Sequence, residues 1–314
     1  MKKTLDTAVP PVSVVILAHN EEANLPDCLG SLSGLQCEIF VVDSGSTDRT
    51  REIAAAAGAA VYEHAFENYS AQRNWAQLTL PLTAPWVLHL DADERLTPEL
   101  VHEINVVLRE RTGGARGFLL RKRTVFMGRW IKHGGHYPSY HLRLFMKDAG
   151  FCERRLYDQH YIVRGTVRRL THDYIDILTS DLSEWSRRHV HWAELEAEEI
   201  EEILERSATG DHVSGHFFGT AIERRRWLRN RVYLRSPLFA RCFLYWFYRY
   251  FLRLGFLDGK EGLIFHFLQG LWFRLLVDAK LVERRIKTRM LALKSEQEQQ
   301  AQQGYRSKES GARF

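Results

Sequence analysis

Trp86-Val87-Leu88-His89-Leu90-Asp91-Ala92-Asp93-Glu94-Arg95 decides how this chain is read. The run from Trp86 to Leu90 has the length and composition of a buried strand. It ends in two carboxylates one residue apart, Asp91 and Asp93, with Glu94 directly behind them. Carboxylates where a buried strand meets a loop are costly unless they are hydrated, paired or bound to a cation. Their oxygens are the ligands Mg2+ and Mn2+ prefer, and such ions are usually shared with substrate phosphates. A lone Asp-x-Asp is equally what a strand ending in a polar turn looks like. The rest of the chain has to tip the balance.

Upstream, Val12–Ala18 is a β-branched run that reads as a first buried strand, followed by the polar turn His19-Asn20-Glu21-Glu22 and a helix through about Ser33. Glu38–Val42 is a second apolar strand, ending at Asp43-Ser44-Gly45-Ser46-Thr47-Asp48. A helix over 49–57, a short strand at 60–62 and a helix over 68–78 carrying Gln72, Arg73 and Asn74 follow. Thr97-Pro98-Glu99-Leu100 opens another helix by hydroxyl cap and first-turn proline. Strands alternating with helices imply an α/β, mostly parallel, doubly wound sheet. Such sheets bind ligands at the carboxyl ends of their strands. Three strands here end in acidic loops, at Glu21, Asp43 and Asp91, so all three belong on one rim. The glycine-rich dinucleotide and P-loop fingerprints are missing, which leaves phosphate binding to a metal and to Arg or Lys.

After about residue 114 the pattern changes. Residues 117–123 and 141–145 read as strands, separated by a Gly-, Trp-, Tyr- and His-rich stretch over 127–138 that suits an acceptor loop or a lid. His133, His136 and His141 match no standard ligand spacing and read as loop polar groups. Trp185 to about Ser207 is a Glu-rich helix with the look of a solvated face.

Net charge is +5 but unevenly placed: residues 223–289 hold 16 Lys and Arg against 5 Asp and Glu. There arginines alternate with large aromatics, as in Phe243-Leu244-Tyr245-Trp246-Phe247-Tyr248-Arg249-Tyr250-Phe251. No apolar run is long enough for a plain spanning helix. Interfacial helices with basic side chains snorkelling to headgroups fit better; the competing readings are an ordinary helical subdomain or an interface between copies in a homo-oligomer. The domain plan is therefore a disordered lead over 1–11, a catalytic domain over 12–222, a helical membrane-associating region over 223–294 and a disordered tail over 295–314. The four cysteines have no zinc or disulfide-framework spacing. No signal-peptide core is visible.

The stretches 14–22, 41–48 and 91–95, in that order and at those separations, resemble glycosyltransferase family 2, in particular its bacterial lipopolysaccharide-core and exopolysaccharide branch. Arg253-Leu254-Gly255-Phe256-Leu257-Asp258-Gly259-Lys260-Glu261-Gly262 also resembles that branch. The resemblance implies a GT-A (Rossmann-like) fold, a nucleotide-sugar donor with UDP favoured, Mg2+ or Mn2+, and inversion at the anomeric carbon. It implies that Glu21 and Asp43 hold the uracil and ribose end and that Arg73 lies near the nucleotide or its phosphates. It further implies that Asp91 bonds the ribose or donor sugar and that Asp93 binds the metal. Direct displacement also needs a base on the face opposite the leaving diphosphate. Where relatives show Val-His-Glu this chain has Tyr157-Asp158-Gln159-His160, so Asp158 is the first choice, Glu153 the second and His160 the third; His160 or His172 can instead complete the metal shell. The expected acceptor is a lipid-linked or polysaccharide molecule at the cytoplasmic face of a bacterial inner membrane, with no nucleic-acid partner. A nucleotidyltransferase would want a glycine-rich, basic loop where Glu21-Glu22 stands. A non-enzymatic sugar- or nucleic-acid-binding module would not need the acidic rim.

Overall fold

The structure is a computed structural model that describes residues 11–109, 114–153, 159–178, 181–209 and 227–311. The chain divides into two compact units, one of residues 1–182 and 247–266, the other of residues 183–246 and 267–314.

The first unit is built on one large mixed sheet. Its leading strands are β1 (Val12–Ala18), β2 (Cys37–Asp43), β3 (Ala60–Glu63) and β4 (Trp86–Asp91). They lie in the order β3-β2-β1-β4, all parallel. The crossovers carry α1 (Leu25–Gly30), α2 (Thr50–Ala56) and α3 (Tyr69–Thr79). Parallel strands with covered faces need apolar residues at consecutive positions, and Val87, Leu88, His89 and Leu90 of β4 are all essentially inaccessible. Burying Leu88 and Leu90 contributes about 2 kcal/mol each, which holds β4 in the sheet and fixes where Asp91 emerges. The register pairs Leu17 with both Val42 and Asp91, so the carboxyl ends of β1, β2 and β4 are level.

Beyond β4 the sheet changes character. β5 (Glu94–Leu96) and α4 (Pro98–Arg109) lead to β6 (Ala115–Phe126), β7 (Arg129–Trp130), β8 (Ser139–Met146) and the small hairpin β9 (Gly150–Cys152)–β10 (Tyr161–Val163). β8 inserts antiparallel between β4 and β6, and β11 (Thr166–Leu178) runs parallel to β6 and antiparallel to β5. Strand β11 is not evident from sequence. Its first half is exposed and charged, and a register shift between Arg169 and Asp173 breaks the alternation. Residues 247–266 end this unit as a π-helical turn (Tyr248–Leu252), a 3-10 turn (Gly255–Asp258) and α7 (Gly259–Phe265), with one further helix, α6 (Ala240–Phe247), leading into them.

The second unit is helical. α5 (Leu182–Thr209) is the Glu-rich helix, and its acids are not simply solvated. Glu196 is buried and accepts from Arg229 at 3.2 Å and Arg274 at 2.6 Å. Arg284 bridges Glu194 and Glu201. Arg241 of α6 and Asp278 form an almost wholly buried ion pair. α8 (Phe273–Gly311) is a single 39-residue helix, where the sequence suggests disorder after 294. Its Ala, Leu, Lys, Glu and Gln content favours a helix even where no core is available. Among the described residues, no helix is long and apolar enough to cross a membrane.

Candidate active site

The rim at the ends of β1, β2 and β4 is assembled by backbone capture. Asn20 sits in the left-handed region at φ 55°, which asparagine tolerates better than most residues. There its N–H donates to Ser46 Oγ and its Oδ1 accepts from Thr47 N at 2.8 Å. Asp43 is fully buried and accepts from the N–H groups of Gly45 and Ser46, at 3.0 and 2.9 Å, and from the Ser46 hydroxyl. It therefore shapes its own loop. Glu21 closes the adjoining turn, accepting from Asn24 at 2.7 Å while its N–H donates to Thr50 Oγ1.

The three acids after β4 have three different environments. Asp91 accepts from Arg73 at 3.2 Å and from Arg143 at 3.0 Å. Burial would raise its pKa, but Arg143 and Arg73 together hold the carboxyl far below the usual carboxylate range. Glu94 is buried and pairs with Arg143, and it also accepts from the Asp91 N–H at 3.0 Å. Burial pushes its pKa up to about 7 against the pull of Arg143. Asp93 differs from both. Among the described residues its carboxylate takes no hydrogen bond and no ion pair, while burial and then Asp176, Asp91, Glu94 and Glu21 push its pKa well up.

Asp176 lies beside it because β5 and β11 pair Glu94 with Asp176 and the Ile177 N–H donates to the Asp93 carbonyl at 3.1 Å. Lys122 of β6 holds Asp176 at 2.8 Å. An unpaired carboxylate among like charges is what a bound dication would relieve. The oxygen donors fit Mg2+ or Mn2+. Among the described residues no group of three or more His, Cys, Asp or Glu is gathered to hold an ion unaided. Asp93, with Asp176 at its shoulder, therefore fits a metal that shares its remaining positions with substrate and water.

Of the residues expected from sequence, Arg73, Asp91 and Asp93 come together at one strand end, with Glu21 close enough to raise the Asp93 pKa. Arg73 is aimed at Asp91, and α3 is stitched to the β9 end by reciprocal 2.9 Å bonds between the Asn74 side chain and the Cys152 backbone. Asp158 lies outside the described residues. Glu153 accepts from the N–H of His160 at 3.0 Å and faces its Nδ1 at 3.2 Å, so the second and third choices of base are partners. His172 is bound to Glu103 at 2.9 Å. His133, His136 and His141 have separate partners, Asp258, Thr124 and Ser139, and form no cluster.

Sequence reasoning missed Arg143, Lys122 and Asp176. The available signal was charge inside strands: Arg121-Lys122-Arg123 and Arg143 interrupt otherwise apolar runs, and only acids nearby can hold them there. His89, within β4, stacks on Phe145 and meets Tyr161 at a tilt, and burial followed by Arg73 and Arg143 pushes its pKa down to about 3, so it is neutral.

The acidic rim lies at the carboxyl ends of parallel strands, where open α/β sheets bind their ligands. Residues 13–117 match the family model "Glycosyl transferase family 2". An uncharacterized glycosyltransferase of Rickettsia typhi is 36% identical over 96 residues, 31% of this chain and 32% of that protein. The lipopolysaccharide core biosynthesis glycosyltransferase LpsC of Rhizobium meliloti is 39% identical over 97 residues, 29% and 34% of the two chains. The chain thus spans about a third of the length of these relatives. The structure of S. aureus TarS 1-349 in complex with UDP-GlcNAc is similar at a TM-score of 0.40 and 15% identity, over 88% of this chain and 91% of that one.

Proposed function

We propose that the protein is an inverting, metal-dependent glycosyltransferase that moves a sugar from a nucleotide sugar, of the UDP type, to a lipid-linked or polysaccharide acceptor at the cytoplasmic face of a bacterial membrane. The observation that carries this reading is the Asp93 carboxylate, the one acid after β4 left without a protein cation. Its neighbours Asp91 and Glu94 are neutralised by Arg73 and Arg143.

In this reading Glu21 lines the nucleoside end of the rim, and buried Asp43 holds the loop behind it in shape. Asp91 fixes the Arg73 guanidinium, which is spared the search for a geometry when the diphosphate arrives. Asp93, with Asp176 beside it, would hold the cation. A divalent ion bound there would supply neutralisation of the charge on the departing diphosphate. The acceptor hydroxyl attacks from the opposite face and loses its proton to a base, for which Asp158 is the first choice, Glu153 the second and His160 the third. The transition state has oxocarbenium character, as in glycoside hydrolysis. The acceptor class is supported by the basic, aromatic composition of residues 223–289 and by the partial similarity to LpsC.

The test is calorimetry with UDP and Mn2+, followed by transfer and hydrolysis assays on a panel of UDP- and GDP-sugars. Mn2+-dependent UDP binding that disappears in Asp93→Ala is the expected result. Metal-independent binding, or binding unchanged in that variant, removes Asp93 from the role. Preference for free nucleoside triphosphates would favour a nucleotidyltransferase instead.

A further inference from the structure

The tip formed by residues 248–257 exposes Tyr248, Phe251, Leu252, Leu254, Phe256 and Leu257, each between 42% and 65% accessible. Six large apolar side chains within ten residues form a patch that water does not favour. The tip's own backbone is unusually self-sufficient. Arg253 N donates to Tyr248 O at 2.9 Å, Leu254 N to Phe251 O at 3.2 Å and Leu257 N to Leu254 O at 3.0 Å. A segment can enter an apolar medium only if its amides are satisfied internally. The charges around the tip are sorted as well. Arg253 and Lys260 are exposed, whereas Asp258 is buried and Glu261 largely so. Arg253 Nη1 donates to the Tyr248 hydroxyl at 3.3 Å, which joins two groups that favour the headgroup level.

Beneath the tip, the first unit grips it. Asp258 accepts from the N–H groups of Lys132 and His133, at 3.3 and 2.9 Å, and from His133 Nδ1 at 2.6 Å. Gly134 N donates to Arg253 O at 2.8 Å, and Arg249 donates to Gly134 O at 2.7 Å. Gly134 has a positive φ of 67°, and a Cβ there would collide with the His266 ring. A glycine is therefore required for this close seating. The loop so fastened continues to Tyr137, whose hydroxyl donates to Asp173 at 3.1 Å on β11.

We propose that residues 248–257 are the element by which the first unit enters the outer layer of an anionic lipid surface, and that the Asp258–His133 latch holds the loop over 131–138 against that surface. The lipid contact stands on the exposed tip alone. The purpose of the latch, presenting the loop to a lipid-linked acceptor, rests on the function proposed above. Basic residues flanking an apolar tip match an anionic lipid better than a second copy of the same basic tip.

The full-length protein is floated with vesicles of phosphatidylcholine alone and of phosphatidylcholine and phosphatidylglycerol in equal parts. Flotation with the anionic vesicles, reduced by salt and weakened about tenfold or more by Phe251→Ser, Leu252→Ser and Phe256→Ser together, is the expected result. Equal flotation of that variant, absence of flotation by the native protein, or a dimer that the same substitutions dissociate overturns it. Should the triple variant fold poorly, Leu254→Cys carrying an environment-sensitive fluorophore reports directly. Blue-shifted emission on adding anionic vesicles supports insertion, and unchanged emission refutes it. Because UDP binding is measured without lipid, failure of the lipid contact and failure of the transferase reading are told apart.

Discussion

Arg143 and Asp91 are joined at 3.0 Å by a guanidinium nitrogen that also holds Glu94, so one nearly buried cation on β8 organises two of the three acids that follow β4. A guanidinium this far from water stays charged, and its partners offset the cost of burying it. Replacing it by Met leaves buried Glu94 without a counter-charge and Asp91 with Arg73 alone. Arg143→Met should lower unfolding free energy by about 3 kcal/mol or more, read by urea denaturation. Adding Glu94→Gln to the same chain should restore part of that loss. No restoration would mean that the two side chains are not energetically linked.

Asp93 predicts the opposite sign. Its carboxylate is crowded by Asp176, Asp91 and Glu94 with nothing opposite. Asp93→Asn should therefore raise the melting temperature of the metal-free protein while abolishing Mn2+-dependent UDP binding. A gain of about 1 kcal/mol is of the size expected when like charges are relieved. Differential scanning calorimetry with and without Mn2+ decides it, and a destabilised variant would show Asp93 to be structurally paired.

In the second unit, Asp278 is almost wholly buried and accepts from the Phe239 N–H at 2.7 Å and from the Arg241 guanidinium. Asp278→Leu alone strands Arg241 and should cost about 3–5 kcal/mol. Arg241→Met with Asp278→Leu should cost less than the single change. Denaturant midpoints of the three proteins give the comparison.

Acid sensitivity should begin unusually early. His189 stacks on Trp185, its Nδ1 donates to Trp185 O at 2.8 Å, and its Nε2 faces the Gln269 amide at 2.9 Å. That arrangement uses the neutral ring, and burial pushes the pKa down to about 4. The unfolded chain takes up a proton near pH 6.5. The stabilisation is therefore complete above that pH and lost as pH falls from 6.5 through 4, by about 3 kcal/mol in all. Buried His89 acts with the same sign. Thermal melts between pH 7 and 4 should flatten in His189→Gln; an unchanged profile would exclude the residue as a source.

The leading half of the sheet is legible from residues alone because burial on both faces forces near-continuous apolar runs at Val12–Ala18, Cys37–Asp43 and Trp86–Asp91. Their acidic ends follow from the same runs. The later half is not. Arg143, Lys122 and Asp176 lie on strands, and which acid each cation meets depends on pairings across gaps of 49 to 54 residues. Periodicity carries no information about such partners. The exposed, bulged start of β11 hides that strand altogether. Asp258 and His133 were each conspicuous by composition, yet the 125-residue separation between them concealed that they touch.

Strand β4 has parallel β1 on one side and antiparallel β8 on the other, and the family match stops at residue 117, just inside β6. The acid-bearing strand is thus the seam between the parallel half of the sheet and the mixed half. β8 meets β4 through only three residue pairs, Trp86–Met146, Val87–Phe145 and Leu88–Leu144, yet Arg143 reaches back from β8 to Asp91 and Glu94. The two halves of the sheet therefore cannot drift apart freely: whatever replaced the strands beyond β4 would have to return a cation to Asp91 and Glu94.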